Sequence, residues 1–417
     1  MIDFAREPSM ETVSSYFSHG NSVAGSPPMQ SKRINVILGN GVLALGILGF
    51  PIVASITVIL SFQGNGLSIA YRIAYLIICS ALLLRSLLAR QYRIDLLISI
   101  FLFIYTWRIG YDYLYSNLPK IDEDTQFYVA TVLLPVLCIG GGRKWYDENT
   151  ALLWLLFVGV VGNLLVVYAL RTNAAYFSSN PNIEVQAALT TLNPITMGYN
   201  GIITASAATM IMLRTRNLLW RAFLVFSILL SIYLTVTAAA RGPIVALFCG
   251  MAVMGLTNRR ASVGFISASL IAAVVVNFTG LPDIVFDRFS SAGTDRSSLE
   301  RVEAITLAIK EASDNLLFGY AYIEPVTGLY PHNLLVESAL AIGIVGLLLM
   351  GWMLMSMLFN SLRSAFRGEM LMPFLAITQF VNAWLSASLW TSVAFYVMLW
   401  IIRDHRSGAN KAPATLA

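Results

Sequence analysis

The chain has 417 residues, of which 57% are hydrophobic and 12% are charged, and its mean hydropathy is +0.71. Soluble domains carry roughly 25% charged residues, so this composition argues against a soluble enzyme or binding module. The net charge is +5, and the basic residues occur in small groups between apolar runs. This distribution is typical of membrane topology signals and does not indicate nucleic-acid binding. Repeated apolar runs of about 20 residues instead predict an all-α integral membrane protein, because a helix satisfies its own backbone hydrogen bonds.

The chain divides into a membrane domain and two polar tails. Residues 1–33 are rich in Ser, Pro and Gly, and we expect a disordered cytoplasmic tail rather than a signal peptide. Residues 34–402 form the predicted membrane domain, and residues 403–417 form a second cytoplasmic tail. About twelve transmembrane helices are predicted, the first of which could be two half-helices broken at Pro51. Their limits are roughly 36–60, 67–84, 94–114, 127–141, 151–170, 194–213, 221–240, 243–257, 262–278, 334–358, 371–389 and 390–402.

Basic residues predict how these spans are oriented. Groups such as Arg85, Arg143 with Lys144, and Arg403 all fall on one side of an alternating twelve-span path. The positive-inside rule makes that side the cytoplasm, so both termini are predicted to be cytoplasmic. The opposite side carries one long loop, residues 279–333.

This long loop contains a predicted amphipathic helix of about four turns. The capping box Ser297–Glu300 marks its start, and it should end near Asp314–Asn315. Its apolar stripe is expected to lie on the membrane surface or against the helix bundle. The stripe consists of Leu299, Val302, Ile305 and Ile309.

Several residues on the loop side are candidates for binding and catalysis. His332 precedes an apolar helix, and the other two histidines lie in the tails. Arg241 stands at the start of a helix, where free N–H groups and a guanidinium together suit a phosphate; a structural arginine at the headgroups is the alternative. Arg301 lies at the edge of the apolar stripe, where it could bind a headgroup or simply snorkel to the membrane surface.

Four further residues are secondary candidates. Arg288 and Arg296 could widen an anionic-ligand pocket or be ordinary loop charges. Asn333 and Glu337 flank the start of the helix after His332 and are candidates for substrate binding, and Glu337 could also orient His332 or pair with an arginine. Glu337 is five residues from His332 and does not share its best helical face.

The acidic group Asp122-Glu123-Asp124 and the cysteines were considered as metal ligands. Asp-x-Asp can hold a divalent metal beside a diphosphate, although a solvated acidic loop is the favoured interpretation. The cysteines lie within apolar runs without CxxC spacing, so buried structural residues are expected. We therefore predict a site without a metal or cofactor.

Three sequence blocks occur in order on the predicted outer face. They are Arg241-Gly242 after a helix end of small residues, Arg301 with Gly319 further on, and His332-Asn333 before a helix that contains Glu337 and Gly343. This order resembles the O-antigen ligase and O-antigen polymerase superfamily over about residues 194–350. Asn193-Pro194 and Gly198 are also similar to the family pattern, whereas Ile305 occupies a position that is often Trp.

The resemblance implies a GT-C-like helical fold and metal-independent glycan transfer from an undecaprenyl-diphosphate carrier. The transfer would occur at the periplasmic face of the bacterial inner membrane, with lipid A-core or a growing glycan as acceptor. By the same resemblance, Arg241 and Arg301 would bind the diphosphate, and His332 would act on the acceptor hydroxyl. Ligase activity is slightly favoured over polymerisation of repeat units.

A transporter of a lipid-linked sugar or a small anion is the alternative from another class. Twelve spans with both ends inside are common in transporters. The sequence shows no internal repeat, however, and ionisable residues such as Arg72, Arg108 and Asp112 lie close to span ends. A transporter site is expected near the midplane, whereas these candidates gather at one surface.

Overall fold

The computed structural model describes the chain in eight segments and a few isolated positions. The segments are residues 29–60, 66–88, 95–116, 120–139, 146–172, 193–238, 240–257 and 296–409. Their helices, in chain order, are α1 (Met29–Ile59), α2 (Gly66–Leu88), α3 (Leu96–Tyr115), α4 (Ile121–Tyr128), α5 (Leu134–Ile139), α6 (Glu148–Thr172), α7 (Pro194–Arg214), α8 (Leu218–Ala238), α9 (Arg241–Thr257), α10 (Arg296–Asp314), α11 (Leu334–Phe366), α12 (Leu371–Leu385) and α13 (Val393–Ala409). A π-helical turn, Val129–Leu133, joins α4 to α5.

The predicted class of an all-α membrane protein is confirmed. Within the described segments, 5 helices are long and apolar enough to cross a membrane by length and composition: α1 from Ile34, α2, α6, α8 and α11. Shorter apolar helices lie within α9, α12 and α13. Each predicted span coincides with a helix or joined helices except 262–278, most of which lies outside the described residues. A total of twelve spans stays a prediction.

The first helix begins earlier than predicted, and it is continuous rather than broken at Pro51. α1 begins at Met29, inside the predicted tail, whose residues 1–28 lie outside the described residues. It also runs without interruption through Pro51. Leu48 and Ala54, on either side of the proline, are buried against neighbouring helices. This packing holds the helix together where the missing N–H of proline would favour a break.

Polar side chains join the helices inside the bundle. Asn200 of α7 donates to Asn163 of α6 at 2.6 Å, and Asn163 donates to Ser231 of α8 at 2.9 Å. All three are buried. Side-chain hydrogen bonds between helices are favourable in an apolar bundle because few other partners are present there.

One end of the bundle is defined by polar contacts and is called here the Arg403 end. Arg403 pairs with Asp95 at 2.8 Å, and Arg85 donates to Asn35 at 2.7 Å. Arg214 pairs with Glu148 in the same way. Each of these arginines comes from a position that the sequence assigns to the cytoplasm. Arg241, Arg301 and His332 belong to the opposite end, the His332 end.

The loop helix α10 ends at Asp314, as predicted, and begins at Arg296. Its face against α11 consists of small residues, because Ala304, Ala308 and Ala312 are buried. Larger apolar residues of the predicted stripe are more than half exposed; they are Leu299, Val302 and Ile309. Alanine allows the two helices to approach closely, and the larger stripe therefore faces away from the bundle.

Helix α11 is interrupted at Gly343, where φ is 71° and ψ is −149°. The connection after α10 fits into this break, and the N–H of Ile344 donates to the carbonyl of Leu316 at 2.7 Å. A Cβ on Gly343 would lie 2.5 Å from that carbonyl oxygen, and one on Gly319 would lie 2.5 Å from the main chain of Ala341. Glycine is required on both sides of this backbone contact, which we call the Gly319–Gly343 seam.

Candidate functional site

The segment before His332 is a tight turn that is tied to the bundle. Glu324 accepts hydrogen bonds from the N–H groups of Val326 and Thr327 at 2.8 and 2.6 Å. Its own main chain pairs with Leu329 in an isolated β-bridge. Glu324 is buried, so the turn has a fixed anchor inside the protein. The turn leads directly into Tyr330 and His332.

A left-handed backbone conformation positions His332, whose φ is 55°. The next residue, Asn333, caps α11 by accepting from the N–H groups of Leu335 and Val336 at 3.0 and 3.2 Å. The imidazole packs against Tyr330 with 4.2 Å between ring centroids. His332 is thus held between a helix cap and an aromatic ring.

The imidazole of His332 has a free acceptor position. Its Nδ1 is buried and has no hydrogen-bond partner among the described residues. Burial first, and then the charge of Arg301, lowers the pKa of His332 to about 4, although a hydrogen bond with the backbone of Ser386 opposes this. The ring is therefore neutral near pH 7 and can accept a proton.

Arg301, which belongs to α10, lies close to His332 and Tyr330. Its charge acts on both His332 and Tyr330. Burial raises the pKa of Tyr330 to about 12, an effect that the buried Glu337 increases and Arg301 partly offsets. The guanidinium is only half-buried, so a ligand from outside the bundle can reach it.

Arg241 is the first residue of α9 and is also half-buried. The start of α9 packs on α7, where a Cβ on Gly198 would lie 2.6 Å from Cγ of Pro243. It also meets the end of α12, since a Cβ on Gly242 would lie 3.1 Å from Oγ of Ser386. Ser386 therefore contacts the Arg241 turn on one side and His332 on the other.

Glu337, a secondary substrate-binding candidate that could also orient His332, lies in the first turn of α11. Its side chain is 0% exposed, and its Oε1 accepts from Oγ of Ser388 at 2.9 Å and from N–H of Leu389 at 3.0 Å. Glu337 holds the turn between α12 and α13, which includes Ser386, so we interpret it as a positioning residue.

The acidic group Asp122-Glu123-Asp124 forms the first turn of α4 rather than a loop. Carboxylates there favour helix formation through the helix dipole. Asp124 accepts from the hydroxyl of Tyr322 at 2.9 Å, whereas Asp122 is exposed. Residues two apart on a helix do not face each other, so these two carboxylates do not converge as metal ligands would.

The remaining predicted residues are less informative. Asn333 is used as a cap and donates to the carbonyl of Trp384 at 3.4 Å. Arg296 is the first residue of α10, but its side chain lies outside the described residues, as does all of Arg288. Sequence reasoning missed Ser386, because no local pattern shows that residues 54 apart in the chain meet. It also missed Tyr330, although this residue is only two positions before His332 and packs on its ring.

These observations define a multi-pass membrane protein with a neutral histidine between two arginine-bearing elements. The model of the O-antigen ligase family matches residues 226–351, a segment that contains Arg241, Arg301 and His332. The match confirms the resemblance to the O-antigen ligase and polymerase superfamily, whose members have glycosyltransferase-like activity in polysaccharide biosynthesis. Searches of the curated proteins and of the solved structures gave no match.

Proposed function

We propose that this protein transfers a glycan from undecaprenyl diphosphate to an acceptor hydroxyl at the periplasmic face of the inner membrane. Ligation of a finished chain to lipid A-core is slightly favoured over polymerisation of repeat units. The observation that carries the proposal is the unpartnered, neutral Nδ1 of His332 within the field of Arg301. A base and a cation side by side are what displacement of a diphosphate requires.

In the proposed step, the acceptor oxygen attacks the anomeric carbon of the donor sugar. The bond from that carbon to the diphosphate oxygen breaks, and the configuration at the anomeric carbon inverts. The acceptor proton passes to Nδ1 of His332, and the electron pair of the broken bond leaves with undecaprenyl diphosphate. Arg301 and Arg241 offset the negative charge that develops on the leaving group, as arginine forks do for phosphates.

The donor itself would tune the base. Arg301 lowers the pKa of His332 in the free protein. A diphosphate bound to Arg301 offsets this positive charge, so the pKa of His332 rises when the donor binds. The imidazole then becomes a stronger proton acceptor at the moment when the acceptor hydroxyl is in place.

We further propose that the reaction needs no divalent metal. This proposal is supported by the diverging side chains of Asp122 and Asp124 and by the two arginines that would take the place of a metal. Transfer should persist at full rate in excess EDTA. Loss of activity in EDTA that returns with Mg²⁺ or Mn²⁺ would contradict it.

The central test is the substitution His332→Ala in the full-length protein in nanodiscs. We expect glycan transfer to fall by about 10²-fold or more, as for loss of a general base. Binding of undecaprenyl diphosphate should remain close to wild type, because the arginines are untouched. Arg301→Gln serves as the matched variant, since it should weaken both transfer and carrier binding. Equal loss of transfer and binding in His332→Ala would reject a catalytic role.

The two family activities separate in a deletion strain that is complemented with each variant. If the protein is a polymerase, the deletion strain accumulates acceptor that carries a single repeat unit. If it is a ligase, full-length chains accumulate on the carrier. A donor that accumulates on the cytoplasmic side would instead favour the transporter alternative. Gel profiles of surface polysaccharide and of carrier-linked glycan distinguish all three results.

A further inference from the structure

A cavity of about 300 Å³ lies next to Tyr330, the residue that packs on His332. Its walls come from α1, α2, α4, the π-helical turn, α7, α12, the turn between α12 and α13, and the start of α13. Tyr330, which packs on His332, lines it, and so does Ser386. Its volume is at the lower end of the roughly 300–1,000 Å³ that is usual for small-molecule sites. None of the candidate catalytic or binding residues lines this cavity, although Arg72 and Asn193, which the sequence analysis names for other reasons, do.

Arg72 is the only charged side chain among the described residues that line the cavity. Its guanidinium lies over the ring of Phe127, with Cζ 3.8 Å from the ring centroid. No hydrogen bond or ion pair of Arg72 occurs within the described part of the chain. Arg72 is half-buried near the start of α2, and a cation at the wall of an apolar cavity is costly without a counter-charge, so such residues usually have a function.

Other polar groups in the cavity have unused hydrogen-bonding capacity. Gln379 is 4% exposed and Tyr199 is 7% exposed, yet Oε1 of Gln379 and the hydroxyl of Tyr199 have no partner among the described residues. Both side chains line the cavity, as does Asn382. Buried polar groups are normally hydrogen-bonded, so these atoms indicate a ligand with hydroxyl groups.

A series of aromatic contacts connects Arg72 to His332. The ring of Phe127 lies under the guanidinium of Arg72 and packs edge-on against Trp390, with 5.4 Å between the ring centroids. Trp390 packs edge-on against Tyr330 at 6.2 Å, and Tyr330 contacts His332. A ligand in this cavity would therefore lie beside the proposed base, where either sugar of the transfer reaction must lie.

We propose that this cavity binds a saccharide of the substrate, and that Arg72 selects one that carries an oxyanion, such as a sugar carboxylate. The aromatic faces and amides of the cavity suit sugar rings, and the guanidinium suits a planar carboxylate. This inference rests on the proposed function but assigns a separate site, because Arg241 and Arg301 are assigned to the carrier diphosphate. The substrate glycan accordingly contains an acidic sugar next to the bond that is made.

The test measures saccharide binding without transfer, using the full-length protein in nanodiscs. The probes are a galacturonic acid dimer, a galactose dimer of the same linkage, and undecaprenyl diphosphate without sugar. We expect the wild type to bind the acidic dimer about tenfold or more tightly than the neutral one, a typical effect of a charged hydrogen bond. Arg72→Gln should abolish this preference and leave binding of the neutral dimer unchanged.

Arg85→Gln is the matched control, since Arg85 lies at the other end of α2 and donates to Asn35. It should retain the full preference, whereas Arg72→Lys, which keeps the charge but not the planar fork, should retain only part of it. Gln379→Leu should weaken both dimers equally and provides a second test if Arg72→Gln does not fold. Equal wild-type affinity for the two dimers would overturn the inference.

A different result would assign the oxyanion to the carrier. If Arg72→Gln weakens binding of undecaprenyl diphosphate and not of the acidic dimer, the saccharide site is rejected. The proposed function fails independently, when the wild type transfers no glycan although the acidic dimer binds through Arg72.

Discussion

At the residue scale, His332 is positioned by its main chain as much as by its side-chain contacts. The left-handed conformation and the cap at Asn333 fix the imidazole before any ligand binds. Its low pKa means that the ring is already neutral over the whole physiological range. The base is therefore available without a pH change, and its strength depends on the neighbouring arginine.

This dependence predicts a titration. Below pH about 4 the imidazole carries a proton, and as pH rises through that value it becomes a proton acceptor. Arg301→Gln removes a positive charge, so the pKa of His332 should move upward toward its ordinary value. NMR of the labelled ring, with His19 and His405 replaced by Gln, measures this pKa directly. Lys310→Gln, on the exposed face of the same helix, should leave it nearly unchanged.

An unchanged His332 pKa in Arg301→Gln would mean that the two groups are not coupled. The proposed strengthening of the base by donor binding would then lose its physical cause.

Glu337 allows a second prediction at this scale. Glu337→Ala leaves the donors of Ser388 and Leu389 without an acceptor, at a cost of roughly 1–3 kcal/mol for each buried group. We expect lower thermal stability and slower transfer, because the turn beside His332 loses its anchor. Glu337→Gln keeps an acceptor oxygen and should have a smaller effect. Equal damage from both substitutions would show that the charge, rather than the hydrogen bonds, is important.

At the scale of elements, the seam between Gly319 and Gly343 predicts a large difference between two similar substitutions. Gly343→Ala places a methyl group 2.5 Å from the carbonyl of Leu316 at a positive φ, which costs roughly 1–3 kcal/mol in backbone strain alone. Gly351→Ala lies in the same helix, where the added Cβ would be 3.7 Å from Leu335. Thermal unfolding in detergent should show marked destabilisation of the first variant only. Similar melting temperatures would contradict this account of the seam.

Local sequence patterns predict where the helices lie in the chain, but they do not predict how the helices pack. The end of α10 at Asp314 was predicted from the sequence, because helix periodicity stops there. The buried alanine face of α10 was not, since alanine is compatible with either face of an amphipathic helix. The uninterrupted course of α1 through Pro51 also depends on neighbouring helices. In each case the deciding contacts are distant in the chain.

At the scale of the whole molecule, the two ends of the bundle predict opposite accessibility. Ser313 lies on α10 at the His332 end, and Arg216 follows α7 near the Arg403 end; both are exposed. In a background with Cys249 replaced by Ser, Ser313→Cys should react with an impermeant maleimide in intact spheroplasts. Arg216→Cys should react only after the membrane is permeabilised. The reverse pattern would invert the predicted orientation.

The candidate site was predicted in part because motifs reveal residue types but not their neighbours. Arg241, Arg301 and His332 were selected from three separate blocks, and the structure brings two of these blocks to the same turn through Ser386. Arg72 was noted only as a charge near a span end. Its position in a cavity beside Tyr330 depends on the packing of elements that are distant in the chain, which no spacing rule reveals.

The Gly319–Gly343 seam also has a mechanical consequence. The connection after the loop helix makes main-chain contacts with Gly343 and Ile344, about 13 Å along α11 from its start at 1.5 Å per residue. An acceptor that pushes on the loop helix would therefore load α11 about one third of the way along its length. The turn that contains His332 is held separately by the hydrogen bonds of Glu324 and Glu337. It would therefore keep its position while the loop helix moves.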